Sequence, residues 1–303
     1  MDYDILIVGG GPAGLSAAVN GRARGKRVLL LSSPREDSPL WKAERVENYL
    51  GLPGVTGAEL LTAFRRHAEA SGAELRELRA LSAMPVGDHW YLSGEDQVFE
   101  GRALILAAGA VRGKPLPGEE RLLGRGVSYC ATCDGMLYRG REVAIVGGGN
   151  TAVGDALTLA RLAGRVTLIH RRDALRASAV YLDKLRENGV NIVWNTEVKA
   201  LQGDDRLTGL VLRNKVTGEE STLPVDGLFV AVGRRPETAL FRGQLETDEA
   251  GYLIADETTR TSLPGVYAVG DVRRKPVRQI LTAAADGAVA AHYIEEYLAG
   301  NRA

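Results

Sequence analysis

Two closely spaced cysteines are the first residues able to do chemistry. Cys130 and Cys133 are the only cysteines in the 303-residue chain and lie in the segment VSYCATCDG at residues 127–135. No metal site is expected, because zinc takes four protein ligands, or three and a water, and the four histidines are scattered along the chain. The spacing favours a reversible disulfide over two structural thiols, since one thiolate can attack while the other resolves. Asp134 either exchanges a proton with a leaving thiolate or is a turn residue before Gly135.

A glycine-rich segment occurs twice. Residues 9–14 (GGGPAG) recur as residues 147–152 (GGGNTA). Each copy follows an apolar run and precedes an Ala/Leu-rich stretch of helical length, which predicts two strand–turn–helix units. Glycines in such a turn let the main chain approach a pyrophosphate, and the helix N-terminus offers N–H groups and the positive end of its dipole. Two copies in this context predict that the protein binds two dinucleotides.

The neighbouring segments predict the fold class. The apolar runs at residues 5–8 and 143–146 are typical of strands buried on both faces of a parallel sheet. Helices are expected over residues 15–24 and 152–162, each followed by a second apolar strand. We therefore predict an α/β protein with two Rossmann-like, three-layer dinucleotide-binding domains.

The second strand of each unit ends where the adenosine ribose of a dinucleotide would lie. In the second unit this end carries His170, Arg171 and Arg172, followed by Arg176. Because no acid stands there to bind a free 2′-hydroxyl and the arginines can converge on one anion, NADPH is favoured over NADH. The alternative is a solvent-exposed basic helix start. In the first unit Ser33 and its neighbours do not decide between FAD and NAD.

The composition is that of a globular protein. The chain is 45% hydrophobic and 25% charged, with 38 basic and 38 acidic residues, and the zero net charge argues against a nucleic-acid-binding protein. Neither a signal peptide nor an apolar run of membrane-spanning length is visible, so we expect a cytoplasmic protein with no membrane partner. Glycine accounts for 37 residues, above the average of about 7%, which suggests tight turns and close approach to ligands.

Proline- and glycine-rich segments predict where the chain divides into domains. One apolar strand runs into the Pro/Gly-rich segment 112–118, and a second such transition follows residues 228–233. At roughly 150 residues per domain, two domains are expected. Residues 1–111 and 239–303 would form one discontinuous domain, and residues 112–238 would be inserted in it. The two linkers would then be a hinge, since relative motion is expected at such segments.

The sequence resembles the low-molecular-weight thioredoxin reductases over essentially its whole length. The resemblance is carried by both glycine-rich turns, CATCDG at 130–135, HRRxxxR at 170–176, Gly270 with Asp271, and Arg278 with Gln279. It implies that the discontinuous domain binds FAD and that the inserted domain binds NADPH and carries the disulfide. It also implies a homodimer in which electrons pass from NADPH to FAD, to the disulfide and to thioredoxin, with the domains rotating between half-reactions.

The same resemblance implies roles for single residues. Cys133 would lie against the flavin and form the charge-transfer thiolate, Cys130 would attack the disulfide of thioredoxin, and Asp134 would be the acid–base residue. Asn48 would contact the flavin ring, and Asp271 would bind the ribitol. The residues expected at FAD are Gly9, Gly11, Pro12, Ala13, Gly14, Ser33, Leu40, Trp41, Asn48, Ala108, Gly109, Gly270, Asp271, Arg278 and Gln279. Those expected at NADPH are Gly147, Gly149, Asn150, Thr151, His170, Arg171, Arg172 and Arg176.

The sequence departs from the family pattern at two places on the FAD side. The family often has Gly-Gln-Leu ahead of the flavin-contacting Asn, with the Gln beside the flavin, whereas this chain has Pro39 and Trp41 there. We favour Trp41 as a loop anchor packed into its own domain, and the alternative is that it approaches the flavin. The second departure is Ala108 before Gly109, where the family usually has Thr.

Three functions are compatible with these features. The leading hypothesis is an NADPH-dependent thioredoxin reductase. The second is a related flavoenzyme with another electron donor, such as ferredoxin, or another small redox protein as acceptor, and the loop around Trp41 motivates it. The third is a flavin-bound redox sensor without turnover, in which the linkers and the disulfide serve as a switch.

Overall fold

The computed structural model describes residues 3–112, 115–175, 177, 180–241 and 243–300. Within it the chain forms two compact units. Met1–Val111 and Arg235–Ala303 form the discontinuous unit, and Arg112–Arg234 form the inserted unit. Which unit holds FAD and which holds NADPH stays a prediction at this point.

The elements alternate in the manner predicted for an α/β chain. The strands are β1 (Tyr3–Val8), β2 (Val28–Ser32), β3 (Glu74–Glu77), β4 (Ser82–Val86), β5 (His89–Gly94), β6 (Gln97–Leu106), β7 (Ala110–Arg112), β8 (Val127–Ser128), β9 (Glu142–Gly147), β10 (Arg165–Ile169), β11 (Asn191–Val193), β12 (Thr196–Gln202), β13 (Gly209–Asn214), β14 (Glu220–Pro224), β15 (Gly227–Ala231), β16 (Arg234–Pro236) and β17 (Val266–Ala268). The α-helices are α1 (Pro12–Ala23), α2 (Gly57–Ala70), α3 (Ala131–Asp134), α4 (Asn150–Ala160), α5 (Val180–Glu187) and α6 (Ile280–Leu298). Short 3-10 turns cover Arg35–Asp37, Glu120–Leu122, Gly135–Tyr138, Ala239–Phe241 and Gly270–Val272.

The discontinuous unit is built on one large sheet. Its order is β3-β2-β1-β6-β5-β4, and β17 also pairs with β6. The pairings of β1, β2, β3, β6 and β17 with one another are parallel, whereas β4, β5 and β6 form an antiparallel meander. Alternate residues of β1 enter different cores, Ile5 on one face and Leu6 on the other. An unbroken apolar strand is therefore required, because both faces are covered.

Helices α1 and α6 pack closely on one face of this sheet. Gly287 of α6 lies so near to α1 that a Cβ there would be 2.2 Å from the main-chain oxygen of Ala13. Ser16 of α1 also donates a hydrogen bond to the main-chain oxygen of Ala284, at 2.6 Å. Small residues at the crossing thus set the position of the N-terminal turn of α1.

The inserted unit has a parallel sheet of its own in the order β11-β10-β9-β15-β8, with a separate antiparallel sheet β12-β13-β14. Helix α4 packs its apolar side, including Val153 and Leu159, into the same core as Ile145 of β9 and Phe229 of β15. Both units have the strand–turn–helix–strand order of a Rossmann unit, so the predicted fold class is confirmed.

The predicted strands at 5–8 and 143–146 lie within β1 and β9. Both predicted helices begin earlier than expected. Helix α1 starts at Pro12, because proline is preset for the first helical turn, and α4 starts at Asn150. Strands β7 and β16 pair with each other where the chain passes from one unit into the other. Over the described part of the chain, every helix is too short or too polar to cross a membrane.

Candidate functional site

Cys130 and Cys133 form a disulfide across the first turn of α3. Cys130 is the N-cap residue of this helix, and its Sγ accepts a hydrogen bond from the main-chain N–H of Cys133 at 3.2 Å. Its main-chain oxygen accepts from the N–H groups of Cys133 and Asp134, at 3.1 and 3.0 Å. The Oγ1 of Thr132 lies 3.3 Å from the same sulfur. Negative charge on the Cys130 sulfur would therefore be stabilised by hydrogen-bond donors that are already in place.

Asp134 directly follows Cys133 in the sequence and is half-buried. Ser128 of β8 donates a hydrogen bond from its Oγ to Oδ2 of Asp134, at 2.6 Å. Burial raises the pKa of the Asp134 carboxyl above its ordinary value, and the hydrogen bond from Ser128 partly opposes this. A carboxyl with a raised pKa is suited to exchange protons near neutral pH. The structure thus brings the three predicted chemical residues together on one turn.

The first glycine-rich turn joins β1 to α1. Gly9 has a φ of 115°, and a Cβ there would lie 2.2 Å from the main-chain oxygen of Ala107. A Cβ on Gly14 would lie 1.9 Å from the oxygen of Gly9. Gly11 is the N-cap residue, with no side-chain cap, and a Cβ there would meet nothing within 4 Å. Pro12 is the first helical residue, and the first turn contains no acidic side chain.

Other residues predicted at FAD lie in the same unit. Gly270 begins a 3-10 turn with a φ of 73°, and a Cβ there would lie 2.9 Å from the Cβ of Ala13. The structure therefore places the turn that carries Asp271 against the start of α1. Asn48 donates from Nδ2 to Oε1 of Gln279 at 2.8 Å, which joins two segments distant in sequence.

Arg278 stacks its guanidinium over the ring of Tyr252, 4.2 Å from the ring centroid. It also donates from Nη2 to the main-chain oxygen of Arg273, at 3.4 Å. Its Nε is buried and has no hydrogen-bond partner within the described residues. The side chain is therefore held on its own unit by stacking, two residues from the start of α6.

The loop that departs from the family pattern packs inward. Leu40 and Trp41 are half-buried and pack against the core that contains α1. The guanidinium of Arg35 lies over the Trp41 ring, 4.8 Å from its centroid. A Cβ on Gly57 would lie 1.7 Å from the main-chain oxygen of Leu40, so α2 holds this loop closely. These contacts support Trp41 as a loop anchor.

The remaining FAD residues of the prediction lie at strand ends. Ser33 is exposed just after β2, and Ala108 packs against the other core of the unit. Gly109 accepts a hydrogen bond from the N–H of Glu237 at 3.1 Å.

The second glycine-rich turn joins β9 to α4. Gly149 is its N-cap residue, with no side-chain cap, and a Cβ there would meet nothing within 4 Å. Asn150 and Thr151 are exposed at the start of α4. A Cβ on Gly147 would lie 2.7 Å from the main-chain oxygen of Ala231. The turn is therefore narrow at its base and open at the helix N-terminus.

His170 is buried beneath this turn. Its Nδ1 lies 2.8 Å from the main-chain oxygen of Gly147, and its Nε2 lies 3.0 Å from that of Ala174. A Cβ on Gly148 would lie 2.1 Å from the imidazole ring. Arg171 and Arg172 follow on the surface, both exposed. Arg176 lies outside the described residues.

Sequence reasoning missed residues that support the site from behind. Ser128 is one. A serine hydroxyl commonly accepts a hydrogen bond from the main-chain N–H two residues later, here that of Cys130, and this local pattern could have drawn attention to it. Asp286 of α6 is another: it accepts from the N–H of Gly270 at 2.8 Å and from Lys275 at 2.7 Å, with Arg273 at 3.3 Å. A carboxylate sixteen residues away gives no local signal.

The two turns fit the dinucleotides that were predicted. Each has an open N-cap glycine, unoccupied by its own side chains, beside main-chain N–H groups of a helix start without acidic residues. That is the geometry and electrostatics a pyrophosphate requires. The two arginines after β10 add positive charge suited to the 2′-phosphate of a dinucleotide whose pyrophosphate lies at the second turn.

The chain matches the pyridine nucleotide-disulphide oxidoreductase family over residues 3–287. It is 42% identical over 301 residues to a thioredoxin reductase of Mycolicibacterium smegmatis, which covers 98% of this chain and 97% of that protein. It is also 42% identical over 304 residues to a bifunctional thioredoxin reductase/thioredoxin of Mycobacterium leprae (strain TN), which covers 98% of this chain and 66% of that protein.

A solved structure is similar over the same length. The thioredoxin reductase from Streptococcus pyogenes MGAS5005 superposes with a TM-score of 0.93 at 36% sequence identity and covers 99% of each chain. The likeness thus holds for both sequence and fold.

Proposed function

The chain belongs to the pyridine nucleotide-disulphide oxidoreductase family, and we propose that it is an NADPH-dependent thioredoxin reductase working through the Cys130–Cys133 disulfide. The predicted family, the cofactors FAD and NADPH, and an oxidoreductase that acts on a disulfide are confirmed. The observation that carries the proposal is the disulfide on α3, beside the half-buried Asp134.

The acceptor that we propose is thioredoxin. Support comes from the names of the relatives, and in particular from the Mycobacterium leprae protein, named as a bifunctional thioredoxin reductase/thioredoxin. This chain matches 66% of that protein.

The order of the sulfur steps rests on the sequence resemblance, which implies that Cys130 attacks thioredoxin and that Cys133 lies against the flavin. NADPH and FAD, when bound, supply the two electrons that reduce the disulfide. Cleavage of the Cys130–Cys133 bond leaves two sulfurs, and the Cys130 thiolate attacks one sulfur of the thioredoxin disulfide. A mixed disulfide forms and the other thioredoxin sulfur leaves as a thiolate. The Cys133 thiolate then attacks Cys130 Sγ, which restores the disulfide and releases reduced thioredoxin.

Asp134 supplies the proton that the leaving thiolate needs. Its Oδ–H bond breaks as the sulfur is protonated, and the carboxylate takes a proton back from the dithiol in the next cycle. The raised pKa of this carboxyl keeps a larger protonated fraction at neutral pH than an ordinary aspartate has. The Cys133 N–H at 3.2 Å stabilises charge on the Cys130 sulfur while it acts as nucleophile.

We assign the cofactors to units from the sequence resemblance and from the arginines that follow β10. In the discontinuous unit, residues 9–14 would hold the pyrophosphate of FAD, with Asp271, Asn48 and Gln279 toward its flavin half. In the inserted unit, residues 147–152 would hold the pyrophosphate of NADPH. Arg171 and Arg172 would then hold its 2′-phosphate, as arginine forms strong hydrogen bonds with phosphate.

Three further expectations come from the sequence. Two of them, a homodimer and rotation of the two units between half-reactions, rest on the resemblance, and the third, a cytoplasmic location, is an expectation from the sequence itself. Each stays a prediction.

The cysteine roles are tested by the Cys130→Ser variant. We expect thioredoxin reduction to be lost while the flavin stays bound, because the nucleophile is removed and residues 9–14 are untouched. Thr158→Ala removes one exposed hydroxyl from α4 of the same unit and is the control, expected to turn over normally. Full activity of Cys130→Ser would overturn the proposal.

The donor is tested by anaerobic titration of the purified protein with NADPH and, in parallel, NADH, following the flavin absorbance band. Rapid bleaching by NADPH and little by NADH is expected. A yellow protein that neither nucleotide bleaches would contradict NADPH as donor and direct attention to ferredoxin-like donors.

A further inference from the structure

Ser128 lies at the junction between the two reacting groups of the inserted unit. It is 3% exposed, on the two-residue strand β8. Its hydroxyl donates to Oδ2 of Asp134 at 2.6 Å and accepts from the main-chain N–H of Cys130 at 3.1 Å. One buried oxygen therefore connects the carboxyl to the main chain of the cysteine. A serine hydroxyl has one hydrogen to donate and lone pairs to accept, so both bonds form together.

We propose that Ser128 is a positioning residue that couples Asp134 to Cys130, orienting the carboxyl and setting the pH at which it exchanges its proton. The proposal rests on the proposed function, in which Asp134 protonates a leaving thiolate. It adds a residue that touches neither substrate nor cofactor and acts only through its two hydrogen bonds.

The two carboxyl oxygens of Asp134 have different roles in the proposed step. Oδ2 is engaged by Ser128, so Oδ1 is the oxygen left to carry the exchanging proton. In the forward step the Oδ1–H bond breaks and an S–H bond forms on the leaving sulfur, with no change in oxidation state. In the return step a thiol S–H bond breaks and the proton moves back to Oδ1. The Ser128 hydroxyl keeps its hydrogen throughout and stabilises the carboxylate form.

The surroundings of Asp134 leave Ser128 as the group that favours its charged form. The 3-10 turn after α3 carries Tyr138, whose pKa is raised by burial and by the charge of Asp134. Arg206, Arg141 and Asp226 act on Tyr138. Leu159 of α4 and Leu162, two residues beyond the end of α4, face this segment at Gly135, and the ionisable residue of α4 is Asp155. For Asp134 itself, burial raises the pKa and the Ser128 hydrogen bond lowers it.

The test follows the thiols without any cofactor chemistry. The whole protein is reduced with dithiothreitol, and the rate of alkylation by iodoacetamide is measured against pH. This rate reports the thiolate fraction, and the inflection that Asp134→Asn abolishes belongs to Asp134. In Ser128→Ala we expect that inflection to move up by about one pH unit, the size of effect of a hydrogen bond to a charged group. Ser128→Thr keeps the hydroxyl and should restore the original inflection.

A matched control is available in the other unit. Ser82→Ala removes a hydroxyl that makes a 2.7 Å hydrogen bond with Ser93 on the outer meander and should leave the profile unchanged. An unchanged inflection in Ser128→Ala would overturn the role of Ser128. In that case loss of thioredoxin turnover in Cys130→Ser would still support the proposed function, so the two failures are distinguishable.

A second measurement needs no variant, in case Ser128→Ala does not fold. Carbon-13 titration of the Asp134 carboxyl in the unaltered, oxidised protein gives its midpoint. The amide resonance of Cys130 should shift with the same midpoint, because its N–H donates to the oxygen that donates to the carboxylate. A Cys130 amide chemical shift that does not change as the Asp134 carboxyl titrates would overturn the coupling.

Discussion

The two glycine-rich turns share a pattern but are closed by different means. In the first, Gly14 lies against the main-chain oxygen of Gly9, Gly287 of α6 lies against that of Ala13, and the small side chain of Ser32 lies under Gly10. In the second, the His170 ring fills the space under Gly148 and lies within hydrogen-bond distance of the oxygen of Gly147. The same strand–turn–helix motif can therefore be supported by packing of small residues or by one side chain.

The difference has a consequence for ligand exchange. The first turn is covered by a long helix whose glycine cannot be enlarged, which suits a cofactor that stays bound. The second turn is supported by the His170 ring under Gly148, and both turns are open at their N-cap glycines, Gly11 and Gly149. The expected difference therefore concerns the first turn, where an enlarged glycine would disturb the site of a tightly held cofactor.

The largest effect is expected at Gly14. In Gly14→Ala the new Cβ would lie 1.9 Å from the oxygen of Gly9, and overpacking against main chain costs about 3 kcal/mol. We expect flavin retention to weaken by about 100-fold, measured as the ratio of flavin to protein after gel filtration. The control is Ala152→Gly, at the matching position of the second turn, which should keep its flavin. Full flavin in Gly14→Ala would remove the distinction between the turns.

The next effect concerns the positive charge that follows β10 in the inserted unit. Arg172→Gln should raise KM for NADPH by about tenfold or more, as loss of a charge-assisted hydrogen bond predicts. KM for NADH should stay the same, because NADH has no 2′-phosphate. Arg165→Gln, an exposed arginine paired with Glu142 in the same unit, is the control. An equal loss with both nucleotides would contradict the assignment of Arg172.

A smaller effect is expected at His170, whose ring lies under Gly148 of the second turn. His170→Phe keeps a ring under Gly148 but loses the contacts with the oxygens of Gly147 and Ala174. KM should rise by about tenfold for NADPH and NADH alike, because the glycine turn serves the pyrophosphate that both contain. His292→Phe, an exposed histidine of the other unit, should change neither value. Discrimination between the nucleotides in His170→Phe would mean direct contact with the 2′-phosphate.

The smallest effects are on stability against pH, and the units should differ here too. The fold raises the pKa of Asp134 above 3.8, so it favours the protonated form, and stability is lost as pH rises through the folded pKa. Asp134→Asn should therefore melt higher than the parent protein at neutral pH and equally below about pH 4. Tyr3, whose pKa is raised to about 12, gives the discontinuous unit the same loss between pH 10 and 12.

Tyr3→Phe should remove that alkaline loss, and it should melt lower at neutral pH because it also removes the hydrogen bond that lowers the pKa of Glu74. Thermal melts across a pH series measure both effects, each a few degrees at most. A higher melting temperature of Tyr3→Phe at neutral pH would contradict the alkaline loss assigned to Tyr3. An unchanged melting temperature of Asp134→Asn at neutral pH would contradict the cost assigned to the charged Asp134 carboxylate.

Much of the fold could be predicted because the pattern is local. The apolar runs in β1 and β9, the glycines after them and the helices that follow are contiguous in sequence, so spacing alone indicates two Rossmann-like units. The Cys130–Cys133 pair and Asp134 are contiguous as well. The contact between Asn48 and Gln279 could not be predicted, because it joins segments 231 residues apart.

His170 shows where a local motif is incomplete. Its place beside two arginines predicted a nucleotide contact, but its ring is buried and braces two main-chain segments. Periodicity and motif reveal which residues are near a ligand; they do not reveal which way a side chain points.

By itself the sequence determined the chemistry and the architecture: a disulfide-forming pair, two dinucleotide turns and a basic strand end, each encoded within a few consecutive residues. Only the tertiary structure decided what holds them. The packing of strands and helices sets three contacts: the hydrogen bond from Ser128 to Asp134, the hydrogen bond from the N–H of Gly270 to Asp286, and the packing of Trp41 against the core of its unit. Hydrogen bonds and van der Waals contacts act over a few ångströms, so residues from different elements can meet only after the chain has folded.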